Sequence, residues 1–275
     1  MARPRAGTQT LETVVADEGG EGNGATADPK PAAVQLPSLP TTKTSTSGLL
    51  HEKTTVIYGP PGVGKSTLAS QWADGEIFFF NCSGELGDIE AYQAPIPSWR
   101  DFRLYAASLS KDPGNNKAAA IDTADTLATY CSEVVREKLG IAHESELDWG
   151  VGWQTLRNEW SIAISKLAAI PNLGIVFVTH SNEIEVKTRS ATFNKSVIRG
   201  VKGVRESMMD MADLVLFVDY GEEDDSRVIK TKPSRYWDAK ERSQAPRLPS
   251  EIHWPIGTNG WELIRGLWEE GGGTV

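Results

Sequence analysis

The stretch Gly59-Pro60-Pro61-Gly62-Val63-Gly64-Lys65-Ser66-Thr67 leaves few architectures open to this chain. It fits G-x-x-x-x-G-K-[ST], follows an apolar run that ends at Tyr58 and precedes a segment of helical period, so it calls for a strand, a tight loop and a helix in that order. Glycines let such a loop turn its backbone N–H groups inward as a nest for an anion, and the first amides of the following helix add partial positive charge. In that setting Lys65 reaches the β- and γ-phosphates and the Ser66 hydroxyl ligates Mg²⁺. ATP and Mg²⁺ are the expected cofactors.

Beyond the loop, short runs rich in Val, Ile and Phe at 54–58, 76–81, 118–122, 174–179 and 214–219 alternate with segments of helical period at 66–73, 99–109, 124–138, 153–169 and 202–211. Leu127, Cys131, Val134 and Val135 show the helical spacing clearly. Alternation of this kind predicts an α/β fold, a mainly parallel sheet flanked by helices. After Asp219 the pattern shifts to 227–232 and 235–239 around Pro233-Ser234, which predicts a C-terminal antiparallel hairpin. The expected ATPase domain spans 48–252, and 253–275 forms an extension packed on the core as a short strand and helix, with Trp261 and Trp268 two turns apart on one face. Residues 1–47, rich in Ala, Thr, Gly, Pro and Ser, cannot offset the entropy of ordering them and are expected to form a disordered tail.

Mg²⁺ in a P-loop site needs a carboxylate at the end of another buried strand, and Ala118-Ala119-Ala120-Ile121-Asp122 offers Asp122, with Asp125 as cap of the helix that follows. A group that orients or deprotonates the attacking water should lie in the loop Asn81-Cys82-Ser83-Gly84-Glu85, where Glu85 is either that group or a solvated loop side chain. Thr179 and His180 end another strand at the edge where such a sheet meets its ligand, and either one can sense the γ-phosphate.

The net charge of −9 argues against a surface that coats nucleic acid non-specifically and leaves room for one local basic groove. No apolar run approaches the roughly 20 residues that span a bilayer, and the start lacks the apolar core of a secretory signal, so a soluble, cytoplasmic protein is expected. Cys82 and Cys131 have no metal-ligand spacing and read as buried reduced thiols.

The P-loop, Ile121-Asp122-Thr123, Val178-Thr179-His180-Ser181 and Ala239-Lys240-Glu241-Arg242, in this order, resemble the phage RecA-like P-loop ATPases of the single-strand annealing and recombination type, which are AAA-family ATP-binding proteins. The stretch from Cys131 to Ile141 followed by Asp148-Trp149-Gly150, and Thr231-Lys232-Pro233-Ser234, extend the resemblance over about 50–252. It implies a RecA-like core in an ATP-driven, DNA-binding, self-assembling protein, in the host cytoplasm if phage-encoded. Lys240 and Arg242 would then reach a neighbour's nucleotide in trans, and residues i and i+2 of a strand do present two side chains together. One departure matters: Ser83 stands where the family's catalytic glutamate is usual, so either Glu85 two residues on replaces it or hydrolysis is slow or lost while nucleotide binding persists.

Between Glu185 and Glu206 lie Lys187, Arg189, Lys195, Arg199, Lys202 and Arg205 with Phe193 among them and no acid. Cations that track phosphates beside an aromatic that stacks on a base suit single-stranded DNA. The rival reading is a nucleotide-dependent switch or remodeller that acts on a protein partner, with weak or no DNA binding.

Overall fold

A strand covered on both faces reads as a nearly continuous apolar run, and β1 (Thr55–Gly59) is buried at every position. The structure, a computed structural model, describes residues 48–275 apart from 85, 190, 223–225 and 244, so the expected tail at 1–47 and Glu85 lie outside the described residues. After β1 come α1 (Lys65–Gln71), β2 (Ile77–Asn81), β3 (Tyr92–Pro95), α2 (Trp99–Lys111), β4 (Ala118–Asp122), α3 (Ala124–Leu139) and α4 (Val151–Ala168). The second half contributes β5 (Gly174–Lys187), β6 (Thr192–Ile198), α5 (Lys202–Met211), β7 (Leu214–Tyr220), β8 (Ser226–Lys230), β9 (Lys240–Glu241), β10 (Glu251–Pro255) and α6 (Gly260–Glu270). Ser98 starts α2 by accepting from the Asp101 amide, and Gly140, with φ of 66°, stops α3 in the left-handed region.

The sheet order is β10-β8-β7-β1-β5-β4-β2-β3. From β7 to β3 neighbouring strands run parallel, and β8 and β10 add antiparallel partners at the other side. This is the mainly parallel, helix-flanked sheet that the sequence predicts, with β5 inserted between the P-loop strand and the Asp122 strand. Helices α2 to α5 cover one face, where Trp99, Phe102, Leu127, Trp160 and Met208 share a core with Phe177 and Phe217. On the other face α1 and α6 pack together, with the Trp72 and Trp261 rings 4.6 Å apart and Trp268 buried beside them. The C-terminal helix is therefore part of the layer that holds the P-loop helix, and β10 before it is an edge strand of the sheet.

Three segments differ from the sequence-based reading. Strand β5 does not stop at Thr179 but runs to Lys187, and the stretch read as a basic loop is largely its antiparallel partner β6. The edge strand β3 had no apolar signature, since three of its four residues are exposed. The antiparallel C-terminal strands exist with other partners: β8 pairs with β7 and β10, whereas 235–239 form no strand. The Trp237 indole explains this, since it lies stacked 6.2 Å from Phe217 and donates to the Lys232 carbonyl, which folds the segment onto the helical face.

Glu241 anchors that fold-back. Its side chain is 1% exposed, and its carboxylate accepts from Lys232 Nζ at 2.7 Å, Ser243 Oγ at 2.9 Å and the amides of Arg247 and Leu248 at 2.6 and 3.2 Å. Burial alone would raise its pKa, but the Lys232 ammonium and the other donors outweigh it and hold the carboxyl below the ordinary 4.5. A depressed folded pKa gives stability that is present above the unfolded value and lost as pH falls through the folded one. Glu241→Ala should destabilise the domain by on the order of 3 kcal/mol at pH 7, with a smaller difference in acid. Urea unfolding of both proteins at the two pH values checks this, and coincident midpoints at pH 7 would refute it.

Candidate nucleotide site

Parallel strands deliver their C-terminal ends to one edge of the sheet, and the register β1–β5–β4 brings Gly59 beside His180 and Val178 beside Asp122. Gly59 must be glycine because a Cβ there would lie 2.0 Å from the Val218 carbonyl oxygen. The loop then rises through Pro60 and Pro61, buries Val63 in the core under α1, and turns at Gly62 and Gly64 with φ of 76° and 92°. Lys65 is 6% exposed, and its Nζ donates to the Pro60 carbonyl at 2.7 Å, folded back over the loop. Tyr220 at the end of β7 braces the outside, its hydroxyl donating to the Pro61 carbonyl at 2.9 Å.

A cavity of about 240 Å³ opens here, with Gly62, Gly64, Lys65, Ser66 and Thr67 on one wall and Asp122, Thr123 and His180 on the other. Ser66 and the buried Asp122 supply hydroxyl and carboxylate oxygens, the hard donors that Mg²⁺ prefers. Among the described residues no three His, Cys, Asp or Glu side chains gather into a metal cage. The donor set thus fits an ion held by one carboxylate, one hydroxyl and the phosphates themselves.

His180 also lines a second, polar cavity of about 400 Å³ with Ser83, Thr123, Asp125, Tyr130 and Arg199. Asp125 organises it. The sequence-based role of helix cap is not what the structure shows, because Thr123 occupies the cap position and the Asp125 carboxylate turns away to meet His180 Nδ1 at 3.2 Å, Thr179 Oγ1 at 3.4 Å and Arg199 Nε at 3.8 Å. Burial pushes the Asp125 carboxyl up, but hydrogen bonds from His180 and Thr123 prevail and hold it below its ordinary value. Thr179 is fully buried behind His180, so of the two sensor candidates His180 faces the phosphate cavity. Ser83 sits next to Asp122, its amide donating to the Asp122 carbonyl at 3.2 Å. Burial raises the pKa of the Cys82 and Cys131 thiols, which leaves both protonated.

The remaining candidates lie apart from this edge. Lys240 Nζ donates to the Met209 carbonyl at 2.7 Å, and Arg242 donates to the Asp210 carbonyl and pairs with Asp213 at 3.5 Å, so both cations cap the C-terminal end of α5. They share a side, and burial together with the Arg242 charge lowers the Lys240 pKa. Since β9 pairs at Leu214 and Val215, the pair stands roughly 17 Å along β7 from Tyr220 and the P-loop of its own chain. On the β5–β6 hairpin Lys187 and Arg189 are exposed near the tip, Lys195 pairs with Asp238 at 2.6 Å, and Phe193 packs edge-on to Tyr236 at 5.8 Å. Lys202 and Arg205 follow on α5, Lys202 3.8 Å from Glu206.

A strand, a positive-φ glycine loop and a helix, facing a buried aspartate two strands away, are the parts of a P-loop domain, a class whose members use nucleotide and typically Mg²⁺. Residues 51–243 match the AAA domain family, and the chain belongs to it. Among solved structures, one titled "Crystal structure of the RadB recombinase" is similar at a TM-score of 0.45 and 13% identity, over 76% of this chain and 89% of that one. No curated protein matches the sequence. Among the described residues no helix is long and apolar enough to cross a membrane.

Proposed function

We propose that this chain is an ATPase stimulated by single-stranded DNA, which assembles on that DNA and assists recombination or annealing of the phage type. The observation that supports it is the continuity of β5. His180 faces the phosphate cavity, the same strand runs on to Lys187 in the hairpin, and Arg199 at the foot of the hairpin returns to Asp125, the partner of His180. Reading the γ-phosphate at His180 and repositioning the hairpin are then one event. Lys187, Arg189, Lys202 and Arg205 track the DNA phosphates, while Lys195 and Arg199 fix the hairpin to the body. Tyr236, 47% exposed beside Phe193 with Arg235 5.3 Å over its ring, adds a surface on which bases stack. Lys240 and Arg242 act on the nucleotide of the neighbouring subunit.

The test is ATP hydrolysis with and without single-stranded DNA, together with DNA binding across a salt series. Replacing both Lys187 and Arg189 by alanine should lower the slope of log affinity against log salt by about 1.4, two phosphate contacts at about 0.7 each, and remove most of the stimulation while basal hydrolysis stays. An unchanged slope with unchanged hydrolysis would sink the DNA reading and favour a switch that acts on a protein partner.

A further inference from the structure

Asp122 closes the phosphate cavity from one side of β1, two strands away through β5. On the other side, also two strands away, Arg227 of β8 lies against the P-loop. It stands directly opposite Tyr220 of β7 and directly opposite Trp254 of β10, so the three side chains form a row on one face of the antiparallel edge. Both neighbours are anchored: Tyr220 holds the Pro61 carbonyl, and Trp254 is fully buried with its Nε1 donating to the Thr258 carbonyl at 3.0 Å. The Arg227 guanidinium rests 4.5 Å over the Trp254 ring and reaches Gly64, where an added Cβ would meet Nη1 at 2.6 Å and Cζ at 2.7 Å.

Among the described residues no carboxylate pairs with Arg227. Burial also disfavours its charge. A guanidinium carries five donors in a rigid fork and cannot shed its proton under ordinary conditions. Held on an aromatic wall next to a glycine that itself lines the phosphate cavity, that fork matches a phosphate chain.

We propose that Arg227 is a nucleotide-contacting residue supplied in cis, which grips the phosphate chain of ATP or ADP from the side of the P-loop opposite Asp122. The assignment rests on the P-loop cavity being the nucleotide site and gives it a second wall. Gly64 accordingly has two reasons to be glycine, its φ of 92° and the passage of the Arg227 fork across it.

Calorimetric titration of ATP, ADP and inorganic tripolyphosphate into the wild-type protein, Arg227→Ala and Arg227→Lys tests it, with thermal unfolding of each unliganded protein alongside. Arg227→Ala should weaken all three ligands by roughly tenfold to a hundredfold, the range of a lost charged hydrogen-bond pair. Arg227→Lys, which keeps the charge and the fold but not the fork, should recover only part. Wild-type affinity for all three in either variant would overturn the proposal, as would a loss for ATP and ADP with none for tripolyphosphate. A wild-type protein that binds none of the three would instead overturn the nucleotide reading itself.

Discussion

Lys65→Ala should reduce ATP turnover by on the order of a hundredfold to a thousandfold, the usual cost of losing one preorganised donor to a transferring group. Lys65 is the only charged side chain buried on the P-loop wall among the described residues, and its folded-back hydrogen bond to Pro60 leaves the ammonium poised in the cavity where β- and γ-phosphates would lie. Alanine keeps the helical start of α1, so the protein should still fold, which a circular dichroism melt verifies. Steady-state phosphate release then reads the loss. Turnover at the wild-type rate would place hydrolysis somewhere other than this loop. The same variant separates cis from trans roles for Lys240 and Arg242, which stand too far along β7 to touch their own chain's nucleotide. Mixed with a Lys240→Ala, Arg242→Ala double variant, it should regain partial activity, because each protein supplies what the other lacks; no recovery would confine the pair to capping α5.

The parallel core was legible because its central strands are short, almost wholly apolar runs: β4 has the bounds that its alanine run and terminal Asp122 imply. The strand-loop-helix turn at Gly59 to Ser66 and the place of Asp122 at a strand end were legible for a related reason, since a short motif and a strand end specify their own local geometry. Beyond His180 the pattern misled. Ser181, Asn182, Glu183 and Glu185 break the apolar run, and a solvated two-stranded hairpin needs no buried face to form, so the stretch beyond the strand end reads as a loop although 181–187 pair with 192–198. Asp125 misled differently. Its place in the first turn of α3 suits a cap, but β5 brings His180 and Thr179 within reach, and no local pattern records that meeting. Tyr220, Arg227 and Trp254 come together only through the register of three strands, from segments whose sequences look like ordinary half-buried edges.

Asp122→Asn tests the metal side with nearly constant volume. The residue is 2% exposed between β2 and β5, so a larger change would add a packing cost, whereas the amide removes one charge and leaves the shape. If Asp122 and Ser66 hold Mg²⁺ against the phosphates, the variant should lose about a hundredfold or more in Mg²⁺-dependent turnover, since a bound divalent ion contributes several kcal/mol to a phosphoryl transition state. ATP binding without metal should move the other way or stay level, because a buried carboxylate repels the incoming phosphates and the amide does not. The informative quantity is the gain in ATP affinity on adding Mg²⁺, measured for both proteins. That gain should be large in the wild type and nearly absent in Asp122→Asn. An equal gain in both would show that the ion is held elsewhere, and would leave Asp122 with a role in ordering the Cys82 and Ser83 amides that its backbone carbonyl already binds.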